Sequence, residues 1–242
     1  DFDAFEKTVR EKAPKLFILC NPANPVGRAW TEEELSRIAE ICLRNDVVIV
    51  SDEIHADFAQ AGHAHTSLAR LGNDVLAHSI ICTSPSKTFN IAGLQISNIF
   101  IANPKLKAAF KRAIAQTGYD EPSALGLAAA EACYTLGAPW LAELKRYLAG
   151  NYEAMRAIFA SEAPALKVAP LESTYLPWVD CRALGLDGEG LVDLVENKAR
   201  LWLDMGTMFG TGGEGFIRFN IACPRSVVEE ACHRLTAAVN SL

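Results

Sequence analysis

The sequence predicts an α/β protein: a mainly parallel sheet in the first part of the chain, followed by a small α+β C-terminal domain. Three observations carry this reading. Short apolar runs of strand length alternate with helix-patterned segments between Leu16 and Ala102. Three of those runs end in loops rich in Ser, Asn, Asp and Pro. Beyond Phe159 the pattern changes to short strands, a Gly-rich turn and a closing helix. A long helical stretch joins the two parts, and the boundary is expected near Gly150, giving a partial large domain over 1–150 and a small domain over 151–242.

The elements follow in order. Residues 3–13 pattern as an amphipathic helix stopped near Pro14. Leu16 to Cys20 is continuously apolar, as expected of a strand covered on both faces. Thr31 and Glu34 form a capping box at the start of the next helix, and Trp30 is placed to staple onto Leu35. Val47 to Val50 and Ser79 to Cys82 read as two more buried strands, and Ile96 to Ala102 as a fourth. Helical spacing then runs from Pro104 through three segments to Phe159. In the last part, Tyr175 to Val179 reads as a strand, 188–200 as a helix, Leu201 to Leu203 as a short strand, Phe216 to Ile221 as a strand and Ser226 to Val239 as a helix.

Composition narrows the function. The 242 residues are half hydrophobic, and the net charge is −6, which argues against a nucleic-acid or polyanion binder. No apolar run is long enough to span a bilayer, and no signal peptide opens the chain. Seven scattered cysteines without a C-x-x-C pair read as reduced thiols of a cytoplasmic protein. The spacing of His55, His63 and His65 matches no common zinc arrangement, and Gly210 to Gly215 lacks the following helix of a P-loop. A flexible flap before Arg218 is expected there.

The chemistry-bearing residues sit at strand ends. Asn24, Asp52 and Lys87 each follow or end one of three successive strands, where open α/β sheets bind ligands. Each also has an ordinary reading, as a turn residue, a helix N-cap or a solvated lysine. Lys87 lies at the mouth of an apolar run, and a desolvated amine is a nucleophile toward carbonyls. Ser84 and Ser86 precede it and suit a phosphate. Together they fit pyridoxal 5'-phosphate (PLP).

Four ordered segments resemble the fold-type I PLP enzymes, the class I/II aminotransferase superfamily with the aspartate aminotransferase-like fold. They are Asn21-Pro22-Ala23-Asn24-Pro25-Val26-Gly27, Ser51-Asp52-Glu53-Ile54-His55, Ser84-Pro85-Ser86-Lys87-Thr88-Phe89-Asn90 and Arg218-Phe219-Asn220. The closer resemblance is to the MalY/PatB-type cystathionine β-lyases, through Ser86 to Gln95 and Phe219 to Arg225. The resemblance implies that Lys87 binds PLP covalently and then takes the substrate Cα proton. It further implies Asp52 at the pyridine nitrogen, Asn24 at the phenolic oxygen, and Ser84 and Ser86 at the phosphate. His55 is placed near that phenolic oxygen or packed beside the ring. Arg218 is expected to bind the substrate α-carboxylate. Gln95 stands where the aminotransferases commonly have a phosphate-binding arginine.

The implied activity is elimination of a thiol from a sulfur amino acid, giving pyruvate and ammonia, by a cytoplasmic homodimer. Transamination on the same scaffold is the alternative, and a non-catalytic regulatory or interaction protein is a third. Family members are longer at the N-terminus. The missing portion is expected to carry a phosphate turn, a ring-stacking aromatic residue and groups donated across the dimer.

Overall fold

The computed structural model describes residues 1–119 and 121–242. The chain divides into two compact units, Asp1–Ala23 with Ala29–Leu141, and Asn24–Arg28 with Ala142–Leu242.

The first unit holds α1 (Phe2–Lys12), β1 (Leu16–Cys20), α2 (Glu32–Arg44), β2 (Val48–Asp52), α3 (Asn73–Ala77), β3 (Ser79–Thr83) and β4 (Asn98–Phe100). It continues with α4 (Pro104–Thr117), α5 (Ala124–Leu136) and the start of α6 (Ala138–Glu162). The sheet order is β1-β2-β3-β4. The first three strands are parallel and β4 is antiparallel to β3, so the sheet is mainly parallel as expected.

Helix α2 shows why a local pattern can be trusted. Thr31 Oγ1 accepts from the Glu34 N–H at 3.2 Å, and Glu34 returns a carboxylate to the Thr31 N–H at 3.0 Å. Two helix-end donors are thereby satisfied. Its buried face, Leu35, Ile38, Ala39, Ile41 and Cys42, packs with Leu19, Val47, Ile49 and Leu68, and Trp30 covers the edge of that cluster. We expect Thr31→Ala to cost about 1 kcal/mol in denaturant unfolding; an unchanged midpoint would show that the box adds nothing to global stability.

The expectation that β1 is covered on both faces is corrected. Leu19 is buried and Phe17 packs on the core, but Leu16 and Ile18 are 47% and 67% exposed. Successive strand side chains point to opposite faces. Helix α2 and Phe5, whose ring lies 4.8 Å from Phe17, cover one face; Leu16 and Ile18 point to the other, which no element among the described residues covers at these two side chains.

The second unit continues α6 and adds β5 (Lys167–Val168), β6 (Trp178–Asp180), α7 (Gly188–Val192), β7 (Asp204–Met205), β8 (Phe216–Arg218) and α8 (Arg225–Val239). Its sheet is antiparallel, in the order β5-β6-β8-β7. Leu148, Asn151, Met155 and Phe159 form one buried stripe along α6. Asn151 is the polar member. Its amide nitrogen donates to the carbonyls of Ile221 and Cys223 at 2.9 and 3.0 Å, and its oxygen accepts from Arg225 Nε at 3.2 Å.

Several boundaries shift, two of them as follows. The strand expected at Tyr175 begins at Trp178 because Pro177 has no N–H for the ladder, although the Tyr175 and Pro177 carbonyls still accept from Ile221 and Phe219. The helix expected over 188–200 is α7 followed by a π-type segment, Asp193–Lys198, with a wider turn.

Candidate active site

Parallel pairing brings the carboxyl ends of β1, β2 and β3 to one edge of the first sheet. In register, Cys20 stands beside Asp52, and Asp52 beside Cys82. Asp52 ends β2, and its Oδ1 accepts from the Ile54 N–H at 3.2 Å, a local turn that orients the carboxylate. The following residue, Glu53, is 3% exposed. It accepts from Ser51 Oγ at 2.9 Å and the Leu68 N–H at 3.0 Å, and pairs with His65 Nε2 at 3.0 Å. Burial pushes this carboxyl up. The bonds from His65, the Leu68 N–H and Ser67, with the charge of His65, outweigh burial and hold it below its ordinary value. Glu53 therefore pins the 53–68 loop to the end of the strand that carries Asp52. His55 is buried at 4% exposure, its ring centroid 6.4 Å from Phe58.

The loop after β3 is braced from inside. Ser84 Oγ donates to the Ile96 carbonyl at 2.6 Å and accepts from the Ser86 N–H at 3.0 Å. The Phe89 N–H donates to Pro85 O at 2.9 Å and the Ile91 N–H to Ser86 O at 3.0 Å. Thr88 Oγ1 donates to Asp57 Oδ2 at 2.7 Å. Ser84, Pro85, Ser86 and Thr88 are buried while Lys87 between them is exposed. The lysine expected at the mouth of the apolar run is thus exposed on an internally hydrogen-bonded loop. Gln95 holds a left-handed backbone, and its Oε1 accepts from the Tyr119 hydroxyl at 2.5 Å.

The second unit contains the other predicted pair. Asn24, in the loop after β1, accepts at Oδ1 from Arg218 Nη1 at 2.7 Å. Arg218 ends β8 directly across from Asp204 on β7. Asp204 Oδ2 accepts from Arg218 Nε at 3.1 Å and from Nη2 at 2.5 Å. The Phe209 ring centroid lies 4.5 Å from the guanidinium carbon. The turn before Arg218 is tightly built: a Cβ on Gly206 would stand 2.1 Å from the Gly213 carbonyl oxygen.

Of the sequence-predicted residues, Asp52, His55, Ser84, Ser86 and Lys87 gather at one end of the first sheet, and Asn24 and Arg218 pair within the second unit. Reasoning from the sequence missed Glu53 and Asp204. Glu53 was visible as a charged residue within a strand-end motif. Asp204 was hidden by the apolar Leu201-Trp202-Leu203 just before it, which reads as the strand although the hydrogen-bonded pair is Asp204–Met205.

A parallel α/β sheet with a lysine and an aspartate beyond its strand ends, joined in sequence to a small domain carrying a clamped arginine, defines the PLP-dependent transferase fold class. The chain belongs to the aminotransferase class I and II family, which matches residues 1–235. It is 40% identical over 240 residues to cystathionine beta-lyase PatB of Bacillus subtilis, covering 99% of this chain. It is 33% identical to protein MalY of Escherichia coli, over 100% of this chain. The crystal structure of cystalysin from Treponema denticola, which contains pyridoxal 5'-phosphate, superposes with a TM-score of 0.97 at 37% identity, over 100% of this chain and 61% of that one. The chain spans 62% of the length of the two curated relatives.

Proposed function

We propose that this chain belongs to a PLP-dependent carbon–sulfur β-lyase that eliminates a thiol from a sulfur amino acid such as cystathionine. The observation that carries the proposal is the rigid Ser84–Asn90 loop, which holds an exposed Lys87 at the sheet end where Asp52 terminates the neighbouring strand. The similarity to a named cystathionine β-lyase supports the substrate class.

The donor set fits PLP. Lys87 offers an accessible amine for the aldehyde carbon, and Asp52 a carboxylate for the pyridine N–H. Ser86 offers a hydroxyl for the phosphate. Ser84 acts differently from the reading by resemblance: its hydroxyl proton goes to Ile96, so it braces the loop and leaves phosphate contact to its neighbours. Gln95 adds a neutral amide in place of an arginine, which makes the phosphate seat depend on uncharged donors. Asn24 is assigned to the phenolic oxygen by the resemblance, and its Oδ1 accepts from Arg218.

When bound, PLP supplies an electron sink for charge developing at the substrate Cα. Everything else is done by the chain. Arg218 engages the α-carboxylate with directed N–H donors. Lys87 Nζ accepts the Cα proton and returns it to the sulfur that leaves Cβ. Asp52 keeps the ring nitrogen protonated by accepting its hydrogen bond. Glu53, next in sequence, ties the strand end that carries Asp52 to the 53–68 loop.

The matching family also contains transaminases, so transamination is the second reading. One experiment separates them. The PLP-loaded protein is incubated with cystathionine without any keto acid. Stoichiometric pyruvate and free thiol are expected; pyruvate-free reactions that turn over only when a keto acid is added would overturn the lyase reading. The same proposal carries a cytoplasmic homodimer. Among the described residues no helix is long and apolar enough to cross a membrane, and no two cysteines are joined in a disulfide.

A further inference from the structure

We propose that Asp204 is a positioning residue for carboxylate recognition, holding Arg218 so that the guanidinium presents its two unspent N–H donors to an amino-acid α-carboxylate. The inference rests on the reading of Arg218 as the substrate seat and deepens it.

The geometry is specific. An arginine carries one N–H on Nε and two on each terminal nitrogen. Asp204 Oδ2 takes the Nε hydrogen and one from Nη2, at 3.1 and 2.5 Å. Asn24 Oδ1 takes one from Nη1 at 2.7 Å. One N–H remains on each terminal nitrogen, which is what a carboxylate requires for two-point binding. Phe209 stacks on the guanidinium and fixes its plane, with the ring centroid 4.5 Å away. Asp204 and Asn24 then fix its rotation within that plane. Strand register makes the arrangement intrinsic to the fold, because Asp204 is the direct cross-strand partner of Arg218.

Two chemical consequences follow. A long side chain normally loses rotamer freedom when it captures a ligand. Here the Arg218 side chain, 15% exposed, is ordered before any ligand arrives. The Asp204 charge also offsets that of Arg218, so the seat is close to neutral. Recognition then depends on the direction of the two remaining donors rather than on net attraction, which disfavours anions of the wrong shape. Both bonds to Asp204 end on a single oxygen, so an amide oxygen could replace it without moving the arginine.

The test uses the PLP-loaded protein, Asp204→Ala and Asp204→Asn, with 3-(methylthio)propanoate as probe. This carboxylate lacks an amino group and cannot react with a carbonyl. Calorimetry should show that Asp204→Ala weakens probe binding about tenfold, while Asp204→Asn stays within about threefold of the parent. With a sulfur amino acid, KM should rise by the same factor in Asp204→Ala with kcat nearly unchanged. Probe binding in Asp204→Ala as tight as in the parent overturns the proposal, since Asp204 would then only compete with the ligand. Asp204→Asn as weak as Asp204→Ala overturns it too, because charge rather than placement would matter. Visible absorbance of bound PLP is recorded on every sample. Its absence from the parent counts against the lyase reading alone, because the probe still reports on Arg218.

Discussion

Lys87→Ala is expected to abolish elimination, with turnover falling by about 10⁴-fold or more, because both covalent attachment and proton transfer lose their only amine on that loop. The substitution is a clean one. Lys87 is exposed, and the loop that carries it is held by its neighbours: Ser84 to Ile96, Ser86 to Ser84 and Thr88 to Asp57. Stability should therefore change by no more than about 0.5 kcal/mol, as for other surface substitutions. The visible absorbance of lysine-bound PLP should disappear while the melting curve stays in place. Retained turnover in a correctly folded Lys87→Ala protein would sink the assignment of this residue, and with it the proposed chemistry.

Glu53→Ala should have the largest effect on stability, about 3–5 kcal/mol in denaturant unfolding. The carboxylate is 3% exposed and serves Ser51, Leu68 and His65 together. Deleting it strands a buried hydroxyl, a backbone N–H and an imidazole nitrogen at once. The effect has a pH signature. Glu53 titrates in the folded chain below its ordinary value of 4.5. A depressed carboxyl contributes stability that is fully present above the unfolded pKa and is lost as pH falls through the folded one. The parent should therefore lose stability below about pH 4.5 more steeply than Glu53→Gln, measured as unfolding free energy against pH. Parallel acid limbs for the two proteins would refute the role given to this carboxylate.

The fold was legible where local chemistry and tertiary demand agree. The Thr31–Glu34 box, the limits of β1 and the parallel β1 to β3 edge all follow from side chains close in sequence. The site was legible as a set of motifs. What escaped reading depends on partners far along the chain. The exposure of Leu16 and Ile18 reflects which face α2 covers, and a run of five apolar residues does not encode that. The clamp on Arg218 depends on a register that places Asp204, not Leu203, opposite it. The exposure of Lys87 between buried neighbours was not legible for a related reason. The apolar run before it describes β3, whereas burial of the loop alternates with its own internal hydrogen bonds.

The segment Asn24–Arg28 belongs to the second unit although the residues on both sides of it belong to the first. The Gly27 carbonyl accepts from the N–H groups of Glu172 and Ser173, both at 2.9 Å, and Gly27 has φ +71°, with Leu171 where a Cβ would go. Modularity is limited accordingly. A polypeptide beginning at Ala142 would lack the Asn24–Arg28 turn that its own backbone hydrogen-bonds, and the Asn24 that orients Arg218. The small domain could not be exchanged between relatives as a contiguous C-terminal cassette, and recombination within this family would have to carry the Asn24–Arg28 peptide along with the tail it serves.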